Sequence, residues 1–233
     1  MALADIRVID LTDERGIYGT KLLADLGAQV IRPESADGDP LRQRGPFLQS
    51  KTGALSLWHS FFASNRTFVQ VDGADPSATQ TLQRLAEAAD IICRCDQSDS
   101  AALVDIEAAK RANPGLVVVE LSSFGKEGPW SDYLAPDIVA GALGGAAATT
   151  GDASTPPLKN FGDLNFMISG AYAAIAALSA LYHQRNTGQG QSATLSVHES
   201  IASCLEQVFM FYFYQQTLNR PEGRVLPRRG ALH

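Results

Sequence analysis

Arg7-Val8-Ile9-Asp10-Leu11-Thr12, the segment Tyr18 to Leu26, and Gln29-Val30-Ile31-Arg32 decide the fold between them. The first reads as a strand from Ile6, apolar at Ile6, Val8, Ile9 and Leu11. A loop from Asp13 to Gly16 leads into a helix that Gly27 stops. The third piece reads as a second strand, closed by Pro33. Two strands joined through a helix form a β-α-β unit, which implies parallel strands and a right-handed crossover.

The alternation continues along the chain. Ser35 to Gly53 reads as a long loop and Leu57 to Ser64 as a short aromatic helix. Strands are expected at Thr67–Asp72, Ile91–Arg94, Leu116–Leu121 and Ser192–Ser196. Helices are expected at Pro76–Ala88, Ala101–Arg111, Pro136–Gly144, Asn165–His183 and His198–Thr217. This order predicts an α/β fold, a doubly wound and mostly parallel sheet. Ligands of such sheets sit at the carboxyl ends of the strands.

Composition narrows the function. The 233 residues are 45% hydrophobic and 19% charged, with a net charge of −6. That balance disfavours nucleic acid and anionic membrane surfaces as partners. No secretory signal is visible at the N-terminus, because Asp5 and Arg7 interrupt it. The apolar run Leu164 to Gln184 carries Asn165, Ser169, Gly170 and Ser179, and reads as a buried helix rather than a membrane span. Cys93, Cys95 and Cys204 are too few for a disulfide framework and lack the spacing of a zinc site, so no metal is expected and the compartment reads as cytoplasmic. A dinucleotide site is disfavoured as well. Glu34 ends the second strand where a ribose-binding acid would sit, but the first loop holds Gly16 and Gly19 and no G-x-G-x-x-G.

One junction stands out. Pro157-Leu158-Lys159-Asn160-Phe161-Gly162-Asp163 joins the small-residue segment Gly141–Thr150 to the most apolar helix. Asp163 opens that helix. As an N-cap it would accept hydrogen bonds from the first free backbone N–H groups. As a reactive carboxylate it would be kept ionised by the helix dipole at the mouth of a pocket.

Several stretches, in order, resemble the class III CoA-transferases, the family of formyl-CoA transferase, carnitine CoA-transferase and α-methylacyl-CoA racemase. They are Arg7–Thr12, Leu23–Ile31, Gly38-Asp39 with Arg42, Asn65-Arg66, Ser123-Phe124-Gly125 with Gly128-Pro129, Ala135-Pro136-Asp137, Gly162-Asp163 and Thr187–Gln191. The resemblance implies a CoA-transferase that moves CoA from an acyl-CoA donor to a carboxylic acid acceptor, with CoA as substrate and no permanently bound cofactor. It places the catalytic nucleophile at Asp163, which would pass through an aspartyl covalent intermediate. Backbone N–H groups near Gly162 would stabilise developing charge, and Asp137 matches a second acidic position, which also suits a helix N-cap. CoA contacts are expected from Arg15, Arg42, Val71, Arg94 and Val197.

The departures from the family pattern shape the alternatives. Racemases carry a His where this chain has Pro136, which weakens an isomerase reading. The stretch Cys93-Arg94-Cys95-Asp96 replaces an acidic-Asn-aromatic run, Ser35 stands where an Arg is frequent, and Arg15 stands where formyl-CoA transferase has a Gln. Arg32, Arg42, Arg44, Arg66 and Arg94 are the residues available for phosphates, and surface is the ordinary place for each.

By the resemblance, residues 1–197 form a Rossmann-like large domain; 198–218 reads as a long helix leading out, and 219–233, with Arg220, Arg224, Arg228 and Arg229, as a linker or open end. The family's second, smaller domain would begin where this chain stops. The expectation is therefore a fragment, a half-enzyme needing a partner chain, or a degenerate relative, with a non-catalytic subunit of a heteromeric transferase as the main alternative. The helix from His198 carries aromatics on most sides and predicts a homo- or hetero-oligomer, interlocked in the family.

Overall fold

Strand β1, Arg7–Leu11, sets the frame because its odd and even residues serve different faces. Val8 points to one face and Ile9 and Leu11 to the other, and all three are fully buried. The computed structural model describes residues 1–51, 53–152 and 155–216, so the expected linker at 219–233 lies outside the described residues.

The strands that follow are β2 (Gln29–Glu34), β3 (Phe47–Ser50), β4 (Gly53–Ser56), β5 (Arg66–Gln70), β6 (Ile91–Cys95), β7 (Val117–Ser122) and β8 (Ser192–Ser196). The helices are α1 (Ile17–Asp25), α2 (Leu57–Phe62), α3 (Pro76–Glu87), α4 (Ile106–Ala112), α5 (Asp137–Leu143), α6 (Leu164–Thr187), α7 (Val197–Ser203) and α8 (Glu206–Gln215). The main sheet has the order β5-β2-β1-β6-β7-β8, and every pair in it is parallel. Counting only its own strands, that is the Rossmann order 3-2-1-4-5-6, whose switch point falls between β1 and β6.

Helices α1 and α6 cover one face, over Val8, Val30, Cys93, Val119 and Leu121. Helices α3 and α4 cover the other, over Ile9, Leu11, Ile92 and Val118. The connections from β6 to β7 and from β7 to β8 step the same way across the sheet, yet α4 and α6 lie on opposite faces. The two crossovers therefore have opposite hands. The β6-α4-β7 crossover shares its hand with β1-α1-β2, so β7-α6-β8 is the exception to the right-handed rule. As a consequence the α4 side of β8 has no helix over it among the described residues, and a groove of about 450 Å³ opens between α4 and β8.

Helix α6 can lie against α1 because two glycines meet. A Cβ on Gly19 would come 2.5 Å from the carbonyl oxygen of Gly170. The helix is long and apolar enough to cross a membrane by length and composition, but half of its most apolar window is buried against α1 and the sheet. It ends at Gly188, which takes a left-handed conformation with φ +76.

Four expected boundaries are corrected. Pro33 continues β2 rather than closing it, because β1 pairs no further than Ile31 and Pro33 lies beside β5 alone. The long loop after Ser35 contains a 3-10 turn at Pro40–Gln43 and the antiparallel hairpin β3–β4. The helix expected at Ala101–Arg111 is a 3-10 turn, Asp99–Leu103, followed by α4, whose N-cap is Asp105 accepting from the Ala108 N–H at 2.9 Å. The long helix expected at 198–218 is, among the described residues, two helices, α7 and α8. The Ser203 hydroxyl and the Cys204 thiol both bond back to the Ser200 carbonyl, and side chains that claim such carbonyls compete with the helical ladder.

Candidate active site

The hairpin missed in the sequence positions two side chains. Ser56 is the N-cap of α2: its Oγ accepts from the His59 N–H at 2.9 Å and donates to the Arg44 carbonyl. The Leu57 N–H donates to the Pro46 carbonyl at 2.9 Å. These bonds hold Arg44 against the first turn of α2. Its guanidinium sits 4.5 Å from the centroid of the Trp58 ring, a cation–π contact.

Both residues reach Asp163. Arg44 Nη2 lies 3.2 and 3.1 Å from the two carboxylate oxygens, and the Trp58 indole N–H donates to Oδ2 at 2.7 Å. Arg44 also faces Glu14 at 3.5 Å. Asp163 occupies the N-cap position of α6, but its side chain caps nothing. The N-cap expectation is thus met in position and not in bonding. With 18% of its side chain exposed, the carboxylate is gripped from one side and open on another. Gly162 precedes it at φ +63, in the left-handed region that favours glycine.

Asp137 does the capping instead. It is the first residue of α5, whose own N-cap is Pro136, so it is not the N-cap of its own helix. Its Oδ1 accepts from the backbone N–H of Phe166 at 3.1 Å, and its Oδ2 from Asn165 Nδ2 at 2.9 Å and Lys159 Nζ at 2.8 Å. Asp137 is buried and fully occupied. Helix α5 approaches this closely because it carries glycine: a Cβ on Gly141 would come 2.6 Å from Asn165 Nδ2.

Beneath the hairpin lies a second charged cluster. Arg32 donates from Nε to Asp39 at 2.5 Å and from Nη1 to the Thr12 carbonyl at 2.8 Å, and Nη1 lies 3.1 Å from Asp10. Arg66 donates to Asp10 and, at 2.8 Å, to the Phe62 carbonyl. His59 Nε2 sits 3.5 Å from Asp39. Burial pushes the Asp10 carboxyl up, but Arg32, Arg66 and the bonds from Thr12 outweigh it and hold the group below its ordinary range. Asp39 is likewise held well down: burial is outweighed by His59, Arg32 and the Leu41 N–H. Arg32 and Arg66 are therefore neither surface residues nor free for phosphate.

The remaining expected contacts scatter. A cavity of about 460 Å³ opens at the carboxyl ends of β1, β2, β5 and β6, the switch-point crevice. Val71 lines it. Arg42 reaches it only through Glu34, which it binds at 2.9 Å while stacking over Phe68. Arg15 is buried and spends its guanidinium on Asp13 at 2.7 Å, Asp96 at 2.9 Å and the Ser123 hydroxyl at 3.2 Å, bridging the loops after β1, β6 and β7. It lines a smaller cavity of about 220 Å³ with Ser123, Pro136 and Phe166. Arg94 alternates with Cys93 and Cys95, so it points to the α4 side, into the groove beside β8. Val197 is fully buried against Phe166, Ala140 and Ile201 and has no surface for a ligand. Among the described residues no three His, Cys, Asp or Glu gather as metal ligands would. Trp58 was missed by the sequence reading, and only its long-range bond to Asp163 marks it out.

Residues 3–231 match a family model described as CoA-transferase family III. The chain is 31% identical over 222 residues to the succinyl-CoA:(R)-benzylsuccinate CoA-transferase subunit BbsE of Thauera aromatica, across 94% of this chain and 54% of that one. It is 28% identical over 229 residues to the succinyl-CoA–D-citramalate CoA-transferase of Chloroflexus aurantiacus, across 97% of this chain and 56% of that one. The crystal structure of a CaiB/BaiF family protein from Brucella suis matches with a TM-score of 0.86 and 25% identity, over 93% of this chain and 58% of that one. The chain spans about half the length of the curated relatives it matches.

Proposed function

This chain belongs to CoA-transferase family III, and we propose that it moves CoA between an acyl-CoA and a carboxylic acid with Asp163 as the nucleophile. One observation carries the reading. Asp163 stands at the start of α6 without capping it, and its carboxylate is held by Arg44 and Trp58 while staying partly open to solvent.

The chemistry follows from that geometry. A carboxylate oxygen of Asp163 attacks the thioester carbonyl, the C–S bond breaks, and an acyl-aspartyl anhydride forms with CoA as thiolate. The thiolate then attacks the aspartyl carbonyl and releases the donor acid, leaving an aspartyl-CoA thioester. The acceptor carboxylate attacks that thioester, and the returning thiolate takes the acceptor's acyl group away as the new acyl-CoA. Arg44 and Trp58 orient the attacking oxygen, and the Arg44 charge offsets the negative charge that builds at the carbonyl. The N–H groups of Leu164 and Asn165, which make no hydrogen bond among the described residues, lie next to the same centre. On this reading the CoA nucleotide enters the switch-point cavity lined by Val71. The exposed aromatics of α8, Phe213 and Tyr214 above all, are the surface for a partner chain.

A second reading has its own support. The switch-point cavity is lined by Asp13, Glu14, Glu34, Asp39 and Asp99, with Arg32 as its one cation among the described residues, already held in ion pairs. Such a lining opposes a diphosphate. That favours a chain acting as a subunit beside a CoA-binding partner, and one relative is itself named a subunit. The test is intact mass spectrometry after incubation with succinyl-CoA. A hydroxylamine-labile adduct on the peptide that contains Asp163 supports the transferase. A folded chain that neither forms an adduct nor binds CoA by calorimetry supports the subunit.

A further inference from the structure

We infer that Lys159 and Asp137 are positioning residues that act as one unit to free Asp163 from capping its own helix. This rests on Asp163 being the reactive carboxylate.

A helix start leaves N–H groups open, and the residue at the N-cap ordinarily serves the second or third of them with its side chain. In α6 the third is Phe166. Its N–H is taken by Asp137, which comes from a different helix 29 residues earlier in the chain. The same carboxylate fixes the second residue of α6 through Asn165 Nδ2. With the third N–H taken, the Asp163 side chain makes no capping bond and turns to Arg44 and Trp58. A side chain caps its own helix or faces those two partners, and Asp137 settles which.

Lys159 fixes the chain on the other side of Asp163. An ammonium has three hydrogens and no acceptor. Here it faces three oxygens: Asp137 Oδ2 at 2.8 Å, the Asn160 carbonyl at 3.1 Å and the Gly162 carbonyl. One end of the strap is thus buried on α5 and the other is the peptide bond that leads into Asp163. Gly162 sits in a left-handed conformation where glycine offers little resistance to other backbone geometries, so that peptide needs an external hold. Misplacing a reacting group by an ångström can cost about a hundredfold in rate, which is the scale at which such a strap matters.

Trp58 supplies a reporter that needs no turnover. The chain has two tryptophans, so Trp130→Phe leaves Trp58 alone, with its indole N–H on Asp163. In that background Lys159→Met is expected to move the Trp58 emission in the same direction as Asp163→Ala. Amide exchange over residues 160–170 should rise at least about tenfold. Asp137→Ala should do the same, and the double variant no more than Asp137→Ala alone, because residues acting as a unit are not additive. With succinyl-CoA, Lys159→Met should slow adduct formation about ten- to a hundredfold and leave acyl-CoA affinity within about threefold. Lys159→Met with parental emission and exchange overturns the proposal, as does a double variant whose effects simply sum. If the parent chain forms no adduct while emission and exchange respond as described, the positioning stands and the nucleophile reading falls.

Discussion

Two carboxylates in this chain, Asp10 and Asp163, each meet an arginine, and the contrast between them separates architecture from chemistry. Asp10 lies fully buried between Arg32 and Arg66, with Thr12 and Thr20 filling its remaining lone pairs. Asp163 has one arginine and one indole on one side and solvent on the other. A buried charge with every partner in place is held at one geometry and has no acceptor left for a substrate. A half-open carboxylate with two fixed donors keeps a lone pair that can attack. The cluster around Asp10 also supports the site, because Arg66 bonds the carbonyl of Phe62 at the end of α2, the helix that carries Trp58.

The contrast breaks first at Asp163. Asp163→Asn should lower adduct formation on the order of 10³-fold or more, as loss of a covalent nucleophile does. The urea midpoint should barely move, because the side chain caps nothing. A stability loss as large as the one expected at Arg32 would merge the two regions into one.

Arg32→Met should do the reverse. It leaves Asp10 and Asp39 short of a buried cation and should cost about 3–5 kcal/mol, read from urea unfolding. Acid sharpens the same point. The Asp10 and Asp39 carboxyls are held below their unfolded value of about 3.9, so their contribution is complete above that pH and is lost as pH falls through the folded values. Stability should therefore drop steeply below about pH 4, and Arg32→Met should flatten that slope because it removes a cause of the lowering.

Smaller effects lie between the regions and beyond them. Arg44→Met should slow adduct formation about ten- to a hundredfold while changing stability by less than about 1 kcal/mol, since Arg44 is part-exposed. Arg185→Ala removes an ion pair to Asp5 whose partners are both well exposed. It should change stability by less than about 0.5 kcal/mol and leave chemistry alone.

The fold was legible wherever apolar periodicity carried it. Ile6 to Leu11, Gln29 to Arg32 and Val117 to Leu121 alternate or run apolar because both faces of the sheet are covered. The hairpin Phe47–Ser56 was not, because Phe47, Leu48 and Leu55 are exposed and leave no core-facing pattern to read. The break between α7 and α8 depends on side-chain bonds from Ser203 and Cys204 that helix periodicity does not register. At the candidate site, the Gly-Asp pair before an apolar helix singled out Asp163 as a helix start, and the family resemblance proposed it as nucleophile. Its partners did not show, because Arg44 and Trp58 lie 119 and 105 residues away in sequence. Asp137 was visible as an acid at a helix start, and which helix it caps was not. Arg32 and Arg66 looked like surface cations because nothing local announces that Asp10 awaits them in the core.

The central claim is that Asp163 becomes covalently involved and surrenders an oxygen in each transfer. It is tested most directly with an acceptor acid whose carboxylate carries heavy oxygen. The chain is incubated with succinyl-CoA and the labelled acid, then digested and the Asp163 peptide weighed. The account predicts that this peptide gains heavy oxygen, one atom in a single transfer and up to two on repeated turnover, because the donor acid leaves with an oxygen of Asp163 and the acceptor replaces it, and that Asp163→Asn stays unlabelled. New acyl-CoA formed with the Asp163 peptide unlabelled would contradict it, since CoA would then pass between the acids without the aspartate.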